Sequence, residues 1–168
     1  MSDSERVYLE VPSIPVGDWF DVEDIAALTP AGALCHEFGP KYAKVLGYAD
    51  ILATDCEGPL ARQFIGDHGE FDWSGYLAVA EYCDAHDVEP SAAAAYISWG
   101  GRWDAQHFED SYSGAFEYER EADEYLVELF LECSDIPEYL LNYLDEKRIA
   151  RDMRYDYYYI DGHLFRSC

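Results

Sequence analysis

The chain has 168 residues, nearly half of them apolar and 16% aromatic, and it carries 35 acidic against 11 basic side chains for a net charge of −24. That charge excludes a nucleic-acid ligand held through its phosphates, which needs Lys and Arg, and suits a partner that is itself basic. The aromatic load excludes the disorder usual in acidic, aromatic-poor chains.

Residues 7–20 read as extended, because Pro12 and Pro15 exclude a helix interior, and the run through Gly17-Asp18-Trp19-Phe20 looks like a strand with a turn. Asp21 can cap a short helix carrying Glu23, Asp24, Ile25 and Leu28, ended by Thr29-Pro30. Residues 31–48 are ambiguous apart from a break at Gly39-Pro40. Residues 51–54 are expected to form a short strand before a turn at Asp55-Cys56-Glu57-Gly58-Pro59. Asp72 is a natural cap for a helix over 73–85, which would place Trp73, Leu77, Ala80 and Cys83 on one face. Pro90 suits a first helical turn, 92–96 favours helix, and Gly100-Gly101 ends it. A third short helix is expected over 105–112, stopped by Ser113-Gly114.

The strongest helical signal covers 118–133, where Ala122, Tyr125, Leu126, Leu129, Phe130 and Cys133 recur at helical spacing. Glu117, Glu121, Glu124, Glu128 and Glu132 form a second stripe, one carboxylate every ~4.5–6 Å at helical rise. Pro137 then permits one further helix over 138–153 with Tyr139, Leu140, Tyr143, Leu144 and Ile149 inward. Residues 155–160 and 163–165 flank Asp161-Gly162, a type I′ hairpin signal.

The charge is unevenly placed. Residues 104–146 hold 14 carboxylates against the single base Arg120, whereas residues 147–168 carry five bases against three Asp. The stripe has two plain readings, a solvated helix face and a salt-adapted surface. Salt adaptation does not account for a strongly acidic segment beside a basic one. A folded body carrying this many charges can imitate DNA. At one charge per ~1.7 Å of duplex axis, the net charge corresponds to at most about 40 Å of B-DNA, or roughly 12 base pairs. Fixed carboxylates would then attract the Lys and Arg of a DNA-binding groove, with steering that weakens in salt.

No catalytic or metal signature stands out: GxGxxG, a Walker A lysine, HExxH, GxSxG and a calcium loop are all missing, and the five His are dispersed. The expectation is a non-enzyme without cofactor or metal. Cys35, Cys56, Cys83, Cys133 and Cys168 are odd in number and never in a CxxC pair. With no leader-like N-terminus and no apolar run near ~20 residues, a cytoplasmic protein with reduced thiols and no membrane span is expected.

Several segments resemble one family, the ArdA antirestriction proteins. Tyr143-Leu144-Asp145, Ile149-Ala150-Arg151-Asp152-Met153 and Tyr159-Ile160-Asp161-Gly162-His163-Leu164-Phe165 are similar to its closing pattern. Gly17-Asp18-Trp19-Phe20-Asp21 resembles its early G-x-W element, and Asp55-Cys56-Glu57-Gly58-Pro59 its D-[YF]-E-G segment with Cys in place of an aromatic. Residues 29–48 match poorly. The resemblance implies an α+β protein, an elongated chain of three small lobes. These are an N-terminal α/β lobe (1–60), a central helical lobe (61–103) and C-terminal helices plus a β-hairpin (104–168). It also implies a homodimer that mimics bent DNA and occupies the DNA-binding groove of Type I restriction–modification enzymes, at their methyltransferase core, without binding nucleic acid itself.

The expected contact surface is Asp84, Asp87, Glu89, Glu109, Asp110, Glu117, Glu121, Glu124, Glu128 and Glu132. The expected dimer surface is Tyr155, Tyr157, Tyr159, His163 and Phe165, where the basic end would let two acidic protomers meet. The competing expectation for Arg148, Arg151 and Arg154 is pairing with acids of a preceding helix. The competing functions are an acidic adaptor or chaperone for a basic protein, and more remotely a small hydrolase using scattered His and Asp.

Overall fold

The computed structural model describes residues 5–47 and 49–167, without the side chains of Ala26 and Ala27, and these residues are α+β. They group into two compact units that divide at Ala94/Ala95. Cys168 and Tyr48 lie outside the described residues, so the expectations that touch them are not followed further.

In the first unit, β1 (Arg6–Val11) runs antiparallel to both β2 (Val16–Asp21) and β3 (Leu52–Glu57), giving the order β2-β1-β3. The central strand alternates, with Val7, Leu9 and Val11 buried, as a strand covered on one face does. The turn between β1 and β2 is made by residues 12–15, the segment carrying both prolines, and Gly17–Phe20 belongs to the second strand.

The third strand corrects an expectation. Asp55, Cys56 and Glu57 continue the ladder, opposite Tyr8, Val7 and Arg6, where the composition suggested a turn. Burial of Cys56 and the reach of Arg6 Nη1 toward Glu57 (3.8 Å) accompany this pairing. The turn that follows needs Gly58, whose φ of +113° suits glycine and whose missing Cβ leaves room for Glu5. The Glu5 carboxylate accepts the backbone N–H groups of Leu60 and Ala61, both at 2.8 Å.

Helices α1 (Val22–Leu28) and α2 (Pro30–Phe38) follow, then a 3-10 turn at Pro40–Tyr42 and the single turn α3 (Ala43–Leu46). Asp21 occupies the N-cap position of α1 with extended backbone, but its carboxylate makes no capping bond and lies 3.7 Å from Arg6 Nε. Helix α4 (Trp73–His86) begins as expected, with Asp72 accepting the Gly75 N–H at 2.9 Å. Its buried residues are Tyr76, Val79 and Cys83, so the inward face is rotated from the expected one and Leu77 is exposed. Helix α5 (Pro90–Gly100) buries every residue from Ala92 to Ile97.

In the second unit, α6 (Ala105–Ser111) is capped by Asp104 on the His107 N–H and ends one residue before the expected stop, and Ser113-Gly114 form part of strand β4 (Tyr112–Ala115). The sheet order is β4-β6-β5, with β5 (Tyr157–Ile160) and β6 (His163–Arg166) joined by Asp161-Gly162. Both turn residues have positive φ, 47° and 87°, as a type I′ hairpin requires.

The central strand β6 alternates faces. Leu164 packs with Ala122 and Leu126 of α7 (Glu119–Cys133), flanked by Phe116, Tyr125, Met153, Tyr157 and Tyr159. Phe165 lies among Tyr96, Trp99, Phe108 and Tyr112, with ring centroids 5.6–6.4 Å away. Tyr96, Phe108 and Phe165 are thus the buried aromatics of this unit, whereas Tyr118, Tyr139, Tyr143, Tyr155 and Tyr158 are exposed. The stretch 138–153 is two helices, α8 (Glu138–Leu141) and α9 (Glu146–Met153), separated where Asp145 caps the second.

Candidate acidic interface

Helix α7 presents its acids because its apolar residues are committed to the sheet. Ala122, Leu126 and Val127 are buried, while Glu117 before the helix and Glu124, Glu128 and Glu132 along it are exposed. These carboxylates are not equivalent. Glu121 is half-buried and reaches back, accepting the N–H groups of Glu117 (3.1 Å) and Tyr118 (3.4 Å). That fixes the entry of the helix in the manner of a capping box. The Tyr118 phenol is raised from its ordinary pKa chiefly by its hydrogen bond to Glu117. Glu124 lies 3.4 Å from Arg120 Nε, an exposed i,i+4 pair of little energetic weight. Among the described residues Glu128 and Glu132 make no side-chain hydrogen bond or ion pair.

The basic end bears on the same helix through one residue. Arg154, 19% exposed, donates from Nε to Asp123 at 2.7 Å and places Nη2 3.3 Å from the Glu119 carboxylate. Nη2 also donates to the Glu119 carbonyl at 3.2 Å, and the guanidinium lies over Tyr159 at 5.7 Å. Arg148 and Arg151 instead reach Asp152 of their own helix. The expected pairing of three arginines with a preceding helix is therefore made by one of them, and with α7. A groove of about 940 Å³ runs between α7 and α9, floored by Val127, Leu131 and Ala150.

The remaining expected acids occupy other elements. Glu109 and Asp110 are exposed on α6, and Asp110 accepts from Gln106 Nε2 at 3.3 Å. Asp84, Asp87 and Glu89 are exposed around the end of α4 in the first unit. Asp87 closes that helix in a left-handed conformation, and Glu89 accepts from Ser91. No described group of three or more His, Cys, Asp or Glu can hold a metal ion. His107 and His163 are engaged with the phenols of Tyr96 (2.9 Å) and Tyr112 (3.2 Å).

The expected dimer residues divide sharply. His163 and Phe165 are buried in the unit's own core, so neither side chain is available to another copy. Tyr157 is half-buried, and Tyr159 is held inward by donating to the Phe116 carbonyl at 2.9 Å. Tyr155 alone of the five is well exposed, at 78%. The expected inward residues of 138–153 also differ: Tyr139 and Tyr143 are 73% and 84% exposed, with Leu140 and Leu141 exposed beside them. Pattern reading missed this because it ran one helix through a capping Asp.

The described residues thus define a class, a small α+β protein with a row of exposed carboxylates carried on a packed helix. The family model of the antirestriction protein ArdA matches residues 13–164, and the chain belongs to that family. The match includes residues 29–48, which looked dissimilar by motif. ArdA proteins are antirestriction proteins directed at restriction–modification enzymes. No curated protein sequence matches the chain. No helix of the described residues is long and apolar enough to cross a membrane.

Proposed function

We propose that the protein inhibits a Type I restriction–modification enzyme by occupying its DNA-binding groove, presenting carboxylates where DNA presents phosphates. The observation that carries this reading is the exposed acidic row Glu117, Glu124, Glu128 and Glu132, borne on a helix whose opposite face is locked into a sheet. A rigid row needs little reorganisation on binding, so its electrostatic attraction is realised without a large ordering cost. The inhibitor works by occupancy and needs no catalytic group. Its site of action is the cytoplasm, where the enzyme meets DNA.

The working form is a homodimer. The exposed run Tyr139, Leu140, Leu141 and Tyr143 is the surface that a second copy would cover, and of the hairpin candidates Tyr155 remains open to it. The neighbouring segment 147–168 is the least acidic of the chain, which lowers the repulsion between copies.

The test is competition between the protein and duplex DNA for a purified Type I methyltransferase core, titrated with salt. Displacement of DNA that weakens as salt rises is the expected result. Unchanged DNA binding at large excess of inhibitor would sink the reading, and binding of the enzyme without displacement would point to an adaptor.

A further inference from the structure

We propose that Arg154 is a positioning residue for the acidic surface of α7. It holds the first turns of that helix in place and neutralises Glu119 and Asp123 beside the contact row, so that Glu117, Glu124, Glu128 and Glu132 meet the partner in a fixed arrangement. The inference rests on the DNA-mimic reading above and says what holds the stripe in place.

The geometry separates Arg154 from its neighbours. Arg148 and Arg151 have side chains 72% and 68% exposed and reach only Asp152, whereas the Arg154 side chain is 19% exposed. It makes three polar contacts to α7 from the C-cap position of α9. The ring behind it, Tyr159, is tied to the Phe116 carbonyl, just ahead of α7. One guanidinium therefore connects α9, β5 and the start of α7. Its short bond to Asp123 is charge-assisted and partly desolvated, the kind of pair that fixes geometry. Without it, Glu119 and Asp123 stand as like charges at i and i+4, which destabilises the turn they share.

The proposal runs against the sign of the overall field. Arg154→Gln makes the protein more negative, so attraction by net charge alone predicts tighter binding to a basic groove. A positioning role predicts weaker binding.

The experiment measures displacement of duplex DNA from a Type I methyltransferase core by the full-length protein, as wild type, Arg154→Gln, Arg154→Lys and the charge swap Arg154→Asp with Asp123→Arg, over a salt series. The expected loss for R154Q is roughly tenfold, the size of coupling within one ion-pair network. Its salt dependence should be shallower because fewer carboxylates engage at once. A loss of folded molecules alone would leave the slope unchanged. The swap, which keeps the net charge and the tie, should recover affinity. Lys keeps the charge without the planar fork, so R154K should be intermediate. If R154Q does not fold, R154K carries the test. Intermediate affinity with a reduced slope supports positioning, and wild-type affinity and slope overturn it. R154Q that competes as well as wild type or better also overturns it while leaving mimicry intact. Failure of the wild type to displace DNA removes mimicry and this inference together.

Discussion

Asp145 Oδ1 accepts the Arg148 N–H at 3.2 Å, and this bond starts a new helix inside a stretch whose apolar pattern reads as continuous. Asp145 itself is extended, with φ −91° and ψ 90°. The cap satisfies one of the N–H groups that a helix start leaves without a partner. Asp145→Ala should lower stability by about 1 kcal/mol, the usual worth of such a cap. Urea unfolding followed by circular dichroism measures this, and a change below a few tenths would assign the helix start to packing alone.

What sequence could show and what it could not follow from the range of the interactions. The helix 119–133 was legible because its periodicity records a face packed against Leu164 and its neighbours. The Asp161-Gly162 turn was legible because two adjacent positive φ values demand such residues. The full length of strand β3 is not legible in the sequence because Asp55 and Glu57 have poor strand propensity, and their pairing with β1 is some fifty residues distant. The face of α4 was read one residue away because both choices satisfy a 3.6-residue period. In the folded chain Tyr76 turns inward, where its hydroxyl engages Glu5. The acidic stripe was visible as a list of residues, but its division was not. Arg154 acts on residues 31 and 35 positions earlier, which no local pattern reports.

The same Tyr76 gives a prediction at high pH. Burial, then the Glu5 charge and hydrogen bond, push its phenol well above the ordinary value of 10.0, and burial, then Asp84, raises the Cys83 thiol to about 11 from 9.0. Both groups hold their protons more tightly folded than unfolded. Their contribution is complete below their unfolded values and is lost as pH rises toward the folded ones. Stability should therefore begin to fall near pH 9 and fall more steeply above pH 10. Tyr76→Phe should cost about 1 kcal/mol at neutral pH through the lost hydrogen bond and then decline less steeply above pH 10. Urea midpoints across an alkaline series decide it, and parallel declines in the two proteins would exclude Tyr76 as a cause.

Association has a direct test at the exposed run. Tyr139→Asp combined with Tyr143→Asp places charge on side chains that are 73% and 84% exposed, so the protomer should fold normally. Sedimentation should then show monomer at concentrations where the wild type forms the proposed dimer. Tyr159→Asp is a poor probe of the same question, because Tyr159 bonds to Phe116 and packs on the α7 core, and its loss would disturb the fold first. A dimer that persists in the double variant would move the interface elsewhere.

The acidic row predicts a distributed rather than a discrete site. Exposed charges act through a shared field, and each neutralisation removes a small part of it. Glu128→Gln or Glu132→Gln alone should weaken competition with duplex DNA by no more than about threefold, under roughly 0.7 kcal/mol. Reversing Glu117, Glu128 and Glu132 to Lys together shifts the local charge by six units and should cost about a hundredfold or more, near 2.7 kcal/mol. The same reversals should flatten the salt dependence, because fewer carboxylates remain to replace phosphates. Neutralising Glu119 should do still less than Glu128, since Arg154 already engages it at 3.3 Å. If one Gln substitution abolished inhibition in a folded protein, a discrete site would have to replace the acidic row as the source of binding.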